Sequence, residues 1–255
     1  MSKPIISIQL YAVRDFAEKD LKGTLQAIKD MGYNAVELAG TYGLSTAEFK
    51  NLLDETGLTA YSAHVGIDEF EPDATATVEK YVALGCKYIA VPWLDLKDLP
   101  GGENWASVQA KFMQIAELCN AADIKLMYHN HDFEFNKLPN GEYILDELFN
   151  NVPQMDAEID TGWVAAVGLC PAEYIKKYTG RCPIVHLKDT IKTEAGMEDR
   201  PVGQGSQDMP LIIKTALERG THCFVAELDN AHGITSMEAA KQSLDYLKTL
   251  EVLNG

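Results

Sequence analysis

Hydrophobic and polar positions along this chain follow two alternating periods. Stretches with apolar residues three and four apart, the spacing of one helix face, are followed by a glycine. A short run rich in Val, Ile, Leu, Ala and Tyr comes next and ends on polar residues. The helical spacing first covers roughly residues 20–31, with Asp20 placed to cap the start and Gly32 the end. Ser45-Thr46-Ala47-Glu48 has the form of a capping box, opening a helix that Gly57 closes. Further helices are predicted from about Asp73 to Gly85, Asn104 to Ala122, Gly141 to Phe149, Pro171 to near Gly180, Pro210 to Arg219 and Ser236 to Leu250. The β-rich runs are Ile5 to Tyr11, Asn34 to Leu38, Leu58 to His64, Lys87 to Trp93, Ile124 to His129, Met155 to Asp160, Pro183 to Leu187 and Cys223 to Glu227. One connection breaks the rhythm. From Lys188 to Gln207 the chain is polar and glycine-rich, and so long a connection is expected to be a lid or a site loop.

Eight strands alternating with eight helices, with no linker between them, predict an α/β chain with a parallel sheet. Eight units predict that the sheet closes into a (β/α)8 barrel, a single domain over residues 1–255. No GxGxxG follows the first run, and Gly203-Gln204-Gly205 lies too far downstream to be a nucleotide fingerprint. Composition adds three limits. A hydrophobic share of 46% against 24% charged is enough for a sizeable core. The formal net charge of −16 repels phosphate backbones, which argues against nucleic acid, and draws divalent cations. Cys86, Cys119, Cys170, Cys182 and Cys223 are scattered without a CxxC pair, so buried, reduced thiols are expected in place of disulfides or a zinc–thiolate site. Met1-Ser2-Lys3-Pro4 passes directly into the first strand, and no apolar run reaches membrane-spanning length. The expectation is a soluble, cytoplasmic protein.

Strand alternation places His129 and His131 on one face at the polar end of their strand. The other strand ends carry Gln9, Glu37, His64, Trp93, Asp160, His186 and Glu227, and in a barrel these meet at one rim. Each has a bland reading by itself: His64 as a loop contact, Asp160 as a helix cap, Lys188 as a solvated lysine, a rim tryptophan as packing. Their joint placement points to a site. His129, Asp160, His186 and Glu227 come from four successive strands. Two imidazoles with two carboxylates suit one divalent ion, whether Mn, Co, Mg, Fe or Zn. Such an ion keeps positions for a vicinal hydroxy-ketone, acidifying its C–H and stabilising an enediolate. A polar cage that binds sugar without metal is the alternative. Glu227 and His131 are the candidate base and acid, and Lys188 a cation for the enediolate or a phosphate. Gln9, Glu37, His64 and Glu134 are candidate hydroxyl binders, and Trp93 and Trp163 offer flat faces to a sugar ring.

The chain resembles the xylose-isomerase-like TIM-barrel superfamily, in its sugar phosphate isomerase/epimerase branch and related to inosose dehydratases. The resemblance runs from Ser7-Ile8-Gln9-Leu10-Tyr11-Ala12-Val13-Arg14-Asp15 through Gly32-Tyr33-Asn34-Ala35-Val36-Glu37. It is most specific in Tyr128 to Phe135, Asp160-Thr161-Gly162-Trp163, His186-Leu187-Lys188-Asp189 and Val225-Ala226-Glu227-Leu228-Asp229. It implies metal ligands at the ends of strands five to eight, which here match His129, Asp160, His186 and Glu227. Two positions depart from the pattern. His129-Asn130-His131 stands where many members have Glu-Asn-His, and Trp163 where many have a histidine. The first departure removes one of the two metal-bound glutamates between which such epimerases pass a proton.

The leading expectation is therefore a metal-dependent isomerase or epimerase acting on a keto-sugar or related polyol through an enediolate. A lyase shares the first step: after the α-proton leaves, a β-hydroxyl or glycosidic oxygen departs, as in an inosose dehydratase or a β-elimination on a 3-keto-sugar. A single remaining strong carboxylate base favours it slightly. A non-catalytic sugar-binding barrel is the third reading. An abasic-site nuclease is the weakest, because the chain's negative charge opposes DNA. The expected partner is a small sugar or polyol, with no nucleic acid and no membrane. Assembly as a homo-oligomer is left open.

Overall fold

A computed structural model of the chain describes residues 3–194 and 196–254. The barrel strands are β1 (Ile5–Gln9), β2 (Ala35–Ala39), β3 (Thr59–His64), β4 (Tyr88–Val91), β5 (Lys125–His129), β6 (Asp156–Asp160), β7 (Ile184–Leu187) and β10 (Cys223–Ala226). They pair in parallel in the order β1-β10-β7-β6-β5-β4-β3-β2 and close on themselves, so the predicted (β/α)8 barrel is the fold. Helices α1 (Arg14–Ala17) and α2 (Leu21–Met31) follow β1. Then come α3 (Thr46–Thr56), α4 (Ala74–Leu84), α5 (Trp105–Ala121) and α6 (Ile144–Asn151), with α7 (Thr161–Ala166) and α8 (Pro171–Lys176) both after β6. The set ends with α9 (Met209–Glu218), α10 (Ser236–Thr249) and α11 (Glu251–Asn254). The short α1, α7 and α11 were not foreseen, since each lacks the two turns needed to show a periodic face.

The caps read from sequence are made. The Asp20 carboxylate accepts from Gly23 N–H, Ser45 and Glu48 form a reciprocal box, and Gly32 ends α2 at φ 106°, where a side chain would be strained. Cys86, Cys119, Cys182 and Cys223 are buried free thiols, but Cys170 is exposed, because it stands outside α8 as its N-cap.

Strand alternation sorts side chains into two compartments. On one face, residues such as Val185 and Leu187 point to the helices and join one large apolar cluster. Inside the barrel, Ala90, Met127, Ile184, Cys223 and Val225 form a second, smaller cluster packed against Ile5, Tyr61 and Tyr88. Two residues further along the same strands the interior turns polar, with His129 after Met127, His186 after Ile184 and Glu227 after Val225.

The stretch expected as a lid or site loop is more ordered than the sequence suggested. Within it β8 (Asp189–Thr193) and β9 (Gly196–Arg200) form an antiparallel hairpin. The turn after it is wound around Asp189. One carboxylate oxygen accepts the N–H groups of Gly203 and Gly205, both at 2.9 Å, and the other accepts that of Thr190 at 3.0 Å. A Cβ on Gly205 would lie 2.0 Å from that carboxylate, which accounts for a glycine there. Asp199 on β9 accepts the N–H groups of Asp229 and Asn230 at 3.0 and 3.1 Å, fastening the hairpin to the segment beyond β10.

Candidate active site

The polar end of the barrel opens into a cavity of about 600 Å³, bordered by Tyr11, Trp93, His131 and Asp229 with His64, His129 and Glu227 among its lining. At its floor His129, Asp160, His186 and Glu227 bring one ligand atom each to within 4.8 Å of all the others, and all four residues are buried. The register steps along the barrel: His129 pairs with Glu158, Asp160 with His186 and His186 with Val225, so each strand delivers its last polar residue to the same floor through the stagger of a closed barrel. Asp160 divides its work. Oδ1 caps α7 by accepting from Trp163 N–H at 3.0 Å, while Oδ2 is buried without a hydrogen-bond partner. The bland reading as a cap is thus true of one oxygen only. His129 Nδ1 is also buried and unpartnered. Two imidazoles and two carboxylates at one point, with Asp160 Oδ2 unsatisfied among them, fit a divalent ion.

Charges in this cluster are strongly coupled to burial. Desolvation raises Asp160 to about 7, with Lys188 opposing the shift. Glu227 is desolvated too, but Lys188 and His186 outweigh that and hold its carboxyl well below the usual range. Burial lowers His129 well below 6.5 and, with Lys188 beside it, brings His131 to about 4, so both rings are neutral at pH 7. Lys188 is no solvated lysine. It is 2% exposed, with Nζ 2.6 Å from Asp229 Oδ2, 3.7 Å from Asp160 Oδ2 and 4.8 Å from the centre of the Trp163 ring.

A second group lies one layer deeper. Glu158, two residues before Asp160 on the same face of β6, is fully buried, and its Oε2 is 2.8 Å from His64 Nε2 and 3.6 Å from His129 Nδ1. Sequence reasoning passed over it. The available signal was a glutamate in the middle of a buried strand, in phase with Asp160. Glu37 sits opposite, its Oε1 2.6 Å from His186 Nε2 and 3.2 Å from His64 Nε2.

Three expected hydroxyl binders are placed elsewhere. Glu37 and Gln9 are fully buried below the cavity, where Gln9 donates to Glu37 at 2.8 Å and Ser62 donates to Glu37 at 2.5 Å. Glu134 is buried behind the end of β5, accepting from Tyr128 O–H and His131 N–H, both at 2.8 Å. All three are engaged in hydrogen bonds inside the protein. His64, His131 and Trp93 do border the cavity, and Trp93 is half exposed with Phe133 edge-on at 6.3 Å. Trp163 lies beside the cavity, 5.5 Å from the His131 ring, in a small side pocket with Lys188.

A closed parallel barrel with polar, ligand-bearing side chains gathered at the C-terminal ends of its strands is the architecture of an α/β-barrel enzyme-like site. The profile of the xylose isomerase-like TIM barrel family matches residues 25–250, and the chain belongs to that family. An inosose dehydratase of Clostridium botulinum (strain Eklund 17B / Type B) is 24% identical over 270 aligned positions, covering 88% of each chain. Among solved structures, a sugar phosphate isomerase/epimerase from Parabacteroides distasonis ATCC 8503 superposes with a TM-score of 0.82 at 21% identity, covering 99% of this chain and 96% of its own. A xylose isomerase-like TIM barrel protein from Mycobacterium smegmatis, in complex with magnesium, superposes at 0.74 with 15% identity, covering 99% and 97%. Among the described residues no helix is long and apolar enough to cross a membrane.

Proposed function

We propose that this protein is a metal-dependent sugar isomerase or epimerase, acting on a keto-sugar or related polyol through an enediolate. The observation that supports this best is the convergence of His129, Asp160, His186 and Glu227 on one point at the floor of the cavity. These four residues would hold the ion, which when bound polarises a carbonyl and an adjacent hydroxyl. The chain's own residues then have distinct tasks. Glu227, kept ionised by Lys188, takes the proton from the carbon beside the carbonyl, and the C–H electron pair moves toward the carbonyl as the carbonyl π pair shifts to its oxygen. His131 is neutral and faces the same cavity, so it takes the proton of the adjacent hydroxyl, and the imidazolium so formed returns it to carbon while Glu227 gives its own proton to the oxygen left as alkoxide. Return to the neighbouring carbon is isomerisation, and return to the other face of the same carbon is epimerisation. Lys188 acts from beneath by holding Glu227 and Asp160 in place, and Trp93 and His64 flank the ring at the edge and floor.

An unphosphorylated substrate fits the lining. Arg14 is the one guanidinium or ammonium group among the described residues bordering the cavity. Its Nη1 and Nη2 each donate to a backbone carbonyl, of Tyr11 and Asp229, at 2.8 and 3.0 Å.

Dehydration is the second reading. Glu227 is the one carboxylate of the ligand set that borders the cavity, and the opposite proton carrier is a histidine, an asymmetry that suits loss of a β-hydroxyl better than reversible exchange between matched bases. The inosose dehydratase relative points the same way.

Metal content of protein purified without chelator is the deciding measurement. Near-stoichiometric Mn, Co, Fe, Mg or Zn, lost in His129→Ala and in His186→Ala, is expected. Solvent deuterium should then appear in the keto-sugar without water loss for an isomerase, and with it for a dehydratase. A metal-free protein with no thermal shift on adding any of these ions would leave a sugar-binding barrel in place of an enzyme.

A further inference from the structure

The two histidines of the metal quartet are presented by opposite ring nitrogens. His186 Nδ1 faces Glu227 Oε2 at 2.5 Å, while its Nε2 is turned inward, 2.6 Å from Glu37 Oε1. In His129 the nitrogen turned inward is Nδ1, 3.6 Å from Glu158 Oε2, which leaves Nε2 for the cavity side. Each ring therefore stands between the ligand cluster and a fully buried carboxylate. The two carboxylates are joined by one atom: His64 Nε2 lies 2.8 Å from Glu158 and 3.2 Å from Glu37, with the His64 ring stacked on His186 at 5.2 Å and 6°.

We infer that Glu37 and Glu158, bridged by His64, are positioning residues that fix opposite tautomers in the two histidine ligands, with His186 presenting Nδ1 and His129 presenting Nε2. The inference rests on the reading of the outer quartet as the seat of the ion. Its physical basis is general: a ligand histidine needs its second ring nitrogen protonated and oriented, and a carboxylate behind it does both while making the ring a better donor. Glu158 has a further consequence. A neutral histidine at position 129 brings no charge to a dication, and Glu158 restores a negative charge one ring further out, across His129.

This arrangement also decides between the two groups of donors that could hold an ion. His64, His129, Glu158 and His186 come within 4.8 Å of one another as well. Occupying both positions at once would require His129 and His186 each to give up both ring protons. One ion in the outer quartet uses one nitrogen of each ring and leaves His129 Nδ1 and His186 Nε2 to face the inner carboxylates.

The test uses Zn²⁺ alone as the probe, on the intact chain. Competition against a chelator should show Zn²⁺ binding weakened roughly 10–100-fold in Glu158→Gln, with far-UV circular dichroism unchanged, and similarly in Glu37→Gln. Should either variant fail to fold, the other carries the measurement. Ring ¹⁵N spectra of the Zn²⁺-loaded wild type need no variant, and are expected to show one histidine bound through Nδ1 and one through Nε2. A purely structural role would lower the melting temperature and leave affinity and tautomers as they were. Binding in both variants as tight as in the wild type, or two histidines bound through the same nitrogen, would overturn the inference alone. A wild type that takes up no Zn²⁺ would remove the proposed function and this inference together.

Discussion

The two ends of the barrel interior are built on the same strands and follow opposite rules. At the N-terminal end Met127, Ile184, Cys223 and Val225 fill the barrel with apolar side chains. Two residues on, at the C-terminal end, stand His129, His186 and Glu227, with Glu158 and Asp160 beside them from β6. The lower layer needs only complementary shape. The upper one places carboxylates and imidazoles out of water, which is unfavourable unless each is paired or shares an ion. The difference teaches that one face of one strand can serve as plug and as reagent, because the side-chain repeat is only two residues.

The largest expected effect belongs to the upper layer. Glu227→Gln keeps the size of the side chain and removes the base, so turnover on a keto-sugar substrate should fall by roughly 10²–10⁴-fold with the fold intact. Rates near those of the wild type, measured on protein with unchanged circular dichroism, would end the assignment. The lower layer should respond the opposite way. Ile184→Ala, two residues before His186 and fully buried, should cost about 2–5 kcal/mol in urea unfolding while metal content stays as in the wild type. If metal were lost as well, the two layers would not be separable.

A subtler contrast lies within the polar end. Glu227 has Lys188 and His186 beside it, whereas Glu134 has only hydrogen bonds from Tyr128 and the His131 N–H, and burial raises it to about 7 from 4.5. The folded state then retains a proton that the unfolded chain releases between pH 4.5 and 7. Stability contributed by the protonated form therefore falls as pH rises through that window, by up to about 3 kcal/mol. Glu134→Gln should flatten the profile over the same range. Identical unfolding slopes for wild type and variant between pH 4.5 and 7 would show that Glu134 is ionised throughout.

Much of this was legible in the order of residues. Helix faces, Asp20, Ser45 and Gly32 as caps, and the alternation of eight β-rich runs with eight helices are local properties, fixed by periods of 3.6 and 2 and by backbone chemistry near each end. Closure into a barrel followed from counting those units, and the quartet followed from asking what each strand ends on. Other features depended on neighbours distant in sequence. Glu37 and Gln9 look the same in the chain as residues that meet a ligand, and only the packing of β1, β2 and β7 shows that they are occupied beneath the cavity. Glu158 is unremarkable along β6 until β3 and β5 bring His64 and His129 to it. The Lys188–Gln207 stretch reads as a loose loop because its organising contacts, Asp189 to Gly203 and Gly205 and Asp199 to Asp229, span separations that no local pattern records. The sequence by itself determined which side chains the strands deliver to the rim, because that depends on the two-residue repeat alone. Which of them face the cavity, and which hold the others in place, was decided only by the tertiary structure, because hydrogen bonds and charge pairs depend on distance in space.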